Sequence, residues 1–212
     1  MILLLFLKKI IMDKKFLLQE ILAHKIVEIS WEEPLVVSEG VVAPVCFYTK
    51  RIPYKNVELR NNIVKAMAAV VQTFVRDTNV ILAAATTDAE PLVSVVANQL
   101  GLKCIYLQGV GAGENKVYSF DKAAVKNQNV IVIDSAVTTN LSRLPEIAVI
   151  ENYGGRIKAI CALFNFEFAA TLNFSSIPFC SILTFSDLLE EVTAEQRQVL
   201  IHWHNNPSCW HG

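Results

Sequence analysis

Apolar residues along this chain follow two rhythms, one helical and one continuous. Between Lys14 and about Ile29, Phe16, Leu17, Ile21, Leu22, Ile26 and Val27 fall at the spacing of an amphipathic helix. From Glu33 to Phe47, Pro34, Gly40 and Pro44 break short β-branched runs, which predicts small strands and turns forming a minor sheet. Helical spacing returns from Asn56 to Arg76, with Ile63, Met67, Val70, Val71 and Phe74 on one face. Beyond it, apolar runs at Val80–Ala85, Cys104–Leu107, Val130–Ile133 and Ile157–Phe164 alternate with helical stretches at Glu90–Leu100 and about Leu141–Tyr153. Strands apolar throughout and separated by helices predict an α/β fold around a mostly parallel sheet buried on both faces. After Pro178 come another apolar strand, a short helix around Asp187, and a last helix that Thr193 opens as N-cap with Gln196 three residues on. No repeat, low-complexity tract or linker interrupts the series, so a single domain over residues 1–212 is expected.

Composition changes this picture in two respects. Hydrophobic residues make up 53% of the chain and charged residues 18%, with a mean hydropathy of +0.38, which predicts an extensive core or a buried subunit interface. A net charge of −1 and a pI near 6.4, with no stripe of Lys or Arg, exclude the basic field that a nucleic-acid partner requires. The apolar start Met1–Leu7 is too short for a membrane span and lacks both the preceding basic segment and the small-residue cleavage site of a signal peptide. Residues 1–11 are expected to be an extension ahead of a start at Met12, and no membrane partner is expected. Five cysteines without a CxxC pair (Cys46, Cys104, Cys161, Cys180 and Cys209) read as reduced core thiols of a cytoplasmic protein.

Candidate chemistry concentrates after Val130–Ile133, because ligands of open parallel sheets sit beyond the carboxyl ends of the strands. The strand is expected to stop at Asp134, followed by Ser135, Ala136, Val137, Thr138, Thr139, Asn140, Leu141 and Ser142. Hydroxyls and free backbone N–H groups at a helix start make a phosphate-sized anion site, and Asp134 is placed to hold ribose hydroxyls. The same residues also fit a plain strand end with Thr139 or Ser142 capping the next helix.

Val130–Ser142 resembles the phosphoribosyl-diphosphate signature of type I phosphoribosyltransferases, a hydrophobic strand ending in two acids and running through Thr-Thr-Gly. Flanking segments resemble orotate phosphoribosyltransferases in particular. Ala43–Tyr48 stands where that family has Ser-Pro and an aromatic pair, Leu100–Leu107 resembles its Leu-Gly-Leu-Pro strand, and Ser181–Leu189 with Asn206–Pro207 resembles its C-terminus. The likeness runs from about Phe16 to Trp210. It implies the type I phosphoribosyltransferase fold with a small N-terminal hood from about residue 12 to 50. It also implies a homodimer, Mg²⁺ as cofactor, and phosphoribosyl diphosphate or a nucleotide as ligand. Ribose-phosphate binding would fall to Asp134, Ser135, Thr138, Thr139, Asn140 and Ser142, and base binding to Lys25 and Phe47.

Against that family pattern, charge is missing at several positions. The second acid of the signature is Ser135, the glycine is Asn140, and the next small residue is Leu141. Losing a carboxylate weakens the hold on ribose and its Mg²⁺, and a leucine crowds a backbone that must approach phosphate. Where the family's mobile loop carries several cations, Gln108–Lys116 has Lys116 alone and adds Glu114. Cations aimed at developing negative charge are commonly the largest catalytic contribution. The pyrophosphate turn is one residue longer, and its Asp88 and Glu90 repel a dianion. The arginine that anchors orotate is replaced at Asn165 or Phe166.

Read as a dinucleotide fingerprint, Gly109–Gly113 fails because no helix opens after it, and it is expected to be a flexible surface loop. His202, His204, Cys209 and His211 match no zinc spacing, so no metal site is assigned to them. Cys46 is expected to be inert packing, and Lys50, Arg51, Tyr54 and Lys55 a solvated turn. The sequence thus points to an orotate-phosphoribosyltransferase-like protein whose transferase activity is impaired or absent and which keeps a ribose-phosphate or nucleotide site. Two alternatives stand beside it. One is an active Mg²⁺-dependent transferase joining a pyrimidine-type base to phosphoribosyl diphosphate, with Asp134 and Lys116 as its catalytic residues. The other is a structural subunit that dimerises with an active paralogue.

Overall fold

The computed structural model describes residues 14–30, 33–38, 41–76, 79–84, 86–110, 117–138, 145–168 and 177–207. Along the chain, helix α1 (Lys14–Ala23) precedes four short strands, β1 (Val27–Ile29), β2 (Leu35–Ser38), β3 (Val41–Ala43) and β4 (Val45–Phe47). A short α2 (Ile52–Lys55) and a long α3 (Val57–Gln72) follow, then β5 (Val80–Ala84), α4 (Glu90–Leu100) and β6 (Lys103–Tyr106). Next come β7 (Gln108–Val110), β8 (Val117–Ser119), α5 (Lys122–Val125), β9 (Asn129–Val137), α6 (Pro145–Asn152) and β10 (Arg156–Asn165). The chain closes with β11 (Phe179–Thr184), α7 (Phe185–Glu191) and α8 (Ala194–Asn205). The described residues up to Arg60 and from Leu183 onward form one compact unit, and Asn61–Ile182 form a second.

The central sheet has five strands in the order β11-β10-β9-β5-β6, and the β10–β9, β9–β5 and β5–β6 pairs are parallel. Parallel neighbours need crossovers, which the helices between these strands provide. Both faces of the sheet are covered, so Val130–Ile133 and Val80–Ala84 are almost wholly buried. One face packs Ile81, Val130, Val132, Ile160 and Ala162 against Ile150 of α6 and Val125 of α5. Each such side chain contributes about 1.5–3 kcal/mol of burial free energy.

Three sequence expectations are corrected here. The first helix does not run to Ile29. It ends at Ala23, where Lys25 adopts φ +54 and the amides of Lys25 and Ile26 donate to the carbonyls of Leu22 and Ile21. This is a left-handed helix stop made without glycine, and it delivers Val27 to β1 despite its helical spacing. Second, β9 does not stop at Asp134 but continues to Val137, because β10 keeps pairing with it through Ala162↔Asp134, Phe164↔Ala136 and Asn165↔Val137. On the other side the last pair among the described residues is Ala84↔Ile133. Third, the glycine-rich stretch is not wholly loop. Gln108–Val110 forms β7, antiparallel to β8 through Gln108↔Ser119, Gly109↔Tyr118 and Val110↔Val117, while residues 111–116 lie outside the described ones.

Elsewhere the elements agree with the hydrophobic pattern. The described part of the helix expected from about Leu141 is α6, which is followed by Gly154 at φ +84 and by Gly155. A Cβ on Gly155 would lie 2.5 Å from Ile150 Cγ2, so the crossover into β10 needs a residue without a side chain. In the first unit β1 pairs antiparallel with β4, β2 with β3, and α1 packs against α7. Lys14 Nζ lies 3.3 Å from Asp187 Oδ2, and Gln19 donates to Glu191 at 2.8 Å. The Thr193–Gln196 capping box forms as predicted, and Thr184 with Asp187 makes a second one at α7. Among the described residues no helix is long and apolar enough to cross a membrane.

Candidate functional site

The carboxyl ends of β5, β9 and β10 converge in the second unit, and Asp134 stands among them. β5 ends at Ala84, and Thr86 follows at the head of a single helical turn, Thr87–Ala89, that packs against β9. That geometry brings the Thr86 hydroxyl to Asp134, donating to Oδ1 at 3.3 Å. The Ser135 amide donates to the same oxygen at 2.7 Å. Asp134 is only 4% exposed and Ser135 only 7%. Burial pushes the Asp134 carboxyl from an ordinary value of 3.8 up to about 6. The amides of Ser135 and Ala136 and the Thr86 hydroxyl oppose that rise, whereas the charge of Glu146 in the first turn of α6 adds to it. Glu146 is itself 4% exposed. This carboxyl therefore keeps its proton to a higher pH than an ordinary carboxylate and is bonded to the protein's own donors.

At the end of β10, the Phe166 amide donates to the Val137 carbonyl at 3.0 Å, and Asn165 Oδ1 accepts from the Glu167 amide at 2.9 Å. Glu167 takes φ +56 there, and the rings of Phe164, Phe166 and Phe168 form a buried ladder with centroids 4.9 and 6.1 Å apart. Asn165 accepts within its own turn, and Phe164, Phe166 and Phe168 make the buried part of this strand end apolar.

Of the residues singled out from sequence, the structure brings Asp134, Ser135 and Thr138 to this one strand end, with Thr138 exposed just past β9. Thr139, Asn140, Ser142 and Lys116 lie outside the described residues. Lys25 and Phe47 belong to the first unit. Lys25 lines a cavity of about 480 Å³ there, together with Leu22, Glu28, Ser30, Glu191 and Gln196. Phe47 pairs with Val27 and is not part of that lining. His204 stacks flat on Phe185 with centroids 4.3 Å apart, a packing role, while Cys209 and His211 lie outside the described residues. Sequence reasoning missed Thr86 and Glu146. The Pro145–Glu146 pair at a helix start was the legible signal for Glu146, but Thr86 reaches Asp134 only through the β5–β9 register.

Magnesium in sites of this kind is held by one or two carboxylates together with substrate phosphates. The carboxyl that β9 supplies is buried and hydrogen-bonded within the protein, and its neighbour is the neutral Ser135. Among the described residues no group of three or more His, Cys, Asp or Glu is placed to hold a metal. These residues do not fit the ion, and no step is routed through it.

No protein-family model matches the chain. It is 24% identical over 209 residues to the orotate phosphoribosyltransferase of Lactobacillus johnsonii, an alignment covering 94% of this chain and 97% of that enzyme. Among solved structures, the orotate phosphoribosyltransferase of Aeropyrum pernix superposes with a TM-score of 0.64 at 17% identity, over 82% of this chain and 96% of that one. The UMP synthase of Leishmania donovani gives a TM-score of 0.69 at 16% identity, covering 91% of this chain and 43% of that chain, so this protein spans less than half of the synthase. The fold is that of the type I phosphoribosyltransferases. By sequence the chain is orotate-phosphoribosyltransferase-like, with its likeness to that pyrimidine-biosynthesis family extending over more than nine-tenths of its length.

Proposed function

We propose that this orotate-phosphoribosyltransferase-like protein has impaired or no transferase activity and binds phosphoribosyl diphosphate or a nucleotide through the residues that follow β9. The observation that carries the reading is the state of Asp134. A carboxylate that holds ribose hydroxyls must present its lone pairs to the ligand, whereas this one is 4% exposed and takes the Thr86 hydroxyl and the Ser135 amide. With Asp134 turned inward and Ser135 neutral, the hold on a ligand falls to the hydroxyls and amides of Thr138, Thr139, Asn140 and Ser142. Those groups suit a phosphate and cannot replace the missing cations of Gln108–Lys116, which the departure of pyrophosphate requires. The protein then acts by binding, as a homodimer in the cytoplasm. The exposed Tyr54 and Val57 and the free thiols of Cys46, Cys104, Cys161 and Cys180 support those two parts of the reading.

A second reading, a working Mg²⁺-dependent transferase, draws on the alignment with 97% of an orotate phosphoribosyltransferase. Incubation with phosphoribosyl diphosphate, Mg²⁺ and orotate, followed by loss of orotate absorbance, separates the two. No turnover beside an intact orotate phosphoribosyltransferase is expected. Sustained turnover that Lys116→Ala abolishes establishes the second reading and overturns the first.

A further inference from the structure

The sheet carries a pair of thiols that takes no part in the strand-end site. Cys161 lies in β10 and Cys180 in β11, the strand beside it, and their sulfur atoms are 3.6 Å apart. Neighbouring strands run about 4.7–4.9 Å apart, inside the roughly 4.4–6.8 Å between Cα atoms that a disulfide spans, and the 3.6 Å between the sulfurs puts the two side chains on one face. Closing the bond therefore needs side-chain rotation without separating the strands. The two thiols differ in access. Cys161 is fully buried, whereas Cys180 is partly exposed on a terminal strand of the sheet. They also differ in acidity. The Cys161–Cys180 hydrogen bond lowers Cys180, and the same bond, followed by burial, raises Cys161. When one of the pair ionises it is the reachable one, with the Cys161 S–H donating to it. Cys46, buried and pushed up mainly by burial, hydrogen-bonds with the Tyr48 hydroxyl, and Cys104 contacts the Tyr106 hydroxyl.

We propose that Cys161 and Cys180 form a two-electron redox site, a dithiol that hydrogen peroxide closes to an intramolecular disulfide. The Cys180 thiolate attacks one peroxide oxygen, forming an S–O bond as the O–O bond breaks, and the departing hydroxide takes a proton to become water. Cys161 then attacks the Cys180 sulfenic sulfur, the S–S bond forms, the S–O bond breaks, and a second water leaves with the Cys161 proton. Two thiols are oxidised and one peroxide is reduced to two waters. Cys180 is the attacking residue because peroxide can reach it, and Cys161 resolves because its sulfur is already in contact.

The test is disulfide mapping of the full chain after brief hydrogen peroxide treatment, alkylation and chymotryptic digestion, which cuts at Phe164 and Phe166 between the two cysteines. The expected result is a linked pair of peptides carrying Cys161 and Cys180, two hydrogens lighter than their reduced sum, with Cys46 and Cys104 still alkylated. In Cys161→Ser, Cys180 should halt as a sulfenic acid that dimedone traps. In Cys180→Ser, Cys161 should stay free. If the wild-type chain keeps both thiols alkylated while Cys104 oxidises, or if Cys180 joins a different cysteine, the proposal is overturned. The wild-type map decides the matter even if neither variant folds.

Discussion

Replacing Asp134 with asparagine should stabilise the protein near neutral pH and leave its stability unchanged in acid. The folded protein holds the Asp134 proton more tightly than an unfolded chain does, at about 6 against 3.8. Below the lower value both states are protonated and the full contribution is present. As pH rises through the interval that contribution is lost, and above about 6 the loss is complete. At about 1.4 kcal/mol for each tenfold difference in proton affinity, the loss is roughly 3 kcal/mol. Asparagine keeps a carbonyl oxygen for the Thr86 hydroxyl and the Ser135 amide and carries no charge to bury. Urea unfolding of both proteins between about pH 3 and pH 7 reads the effect as the difference between them, which cancels every other titrating group. The variant should match the wild type at the acid end and exceed it by up to about 3 kcal/mol at the neutral end. A difference that stays flat across this range, or a variant less stable at neutral pH, would refute the argument that Asp134 is ionised at a cost.

Two further perturbations test the scaffold. Gly155→Ala should lower stability by about 1–3 kcal/mol in thermal or urea unfolding, because its Cβ would meet Ile150 Cγ2 at 2.5 Å and the Ile150 carbonyl oxygen at 3.1 Å. Thr193→Ala, which removes the hydroxyl that accepts from the Gln196 amide at 3.2 Å, should cost about 1 kcal/mol. Thr193→Ser should restore most of that loss.

The order of the sheet's elements was legible because its strands are apolar throughout and the helices between them keep helical spacing. Val80–Ala84 and Val130–Ile133 could be recognised from composition alone, as could the capping box at Thr193. The misread positions share a cause, which is that long-range pairing overrode a local signal. Asp134 looks like a strand end because a charge seldom lies mid-strand, yet β10 supplies partners as far as Asn165. Ile26 and Val27 look helical, but the stop falls on Lys25, a residue that carries no sequence mark of left-handed backbone. The contact between Thr86 and Asp134 spans 48 positions and depends on where β5 ends beside β9. The 3.6 Å approach of Cys161 and Cys180 likewise needs the β10–β11 neighbourhood and cannot be read from cysteine spacing.

Calorimetric titration with phosphoribosyl diphosphate, with and without Mg²⁺, tests the central claim most directly. A protein that retains a ribose-phosphate site without transferase chemistry should bind with a Kd on the order of micromolar. Thr139→Ala should weaken that binding at least about tenfold, the loss of roughly 1.4 kcal/mol expected for one hydrogen bond to a charged ligand. No heat from a folded protein, with either this ligand or orotidine monophosphate, would contradict the account.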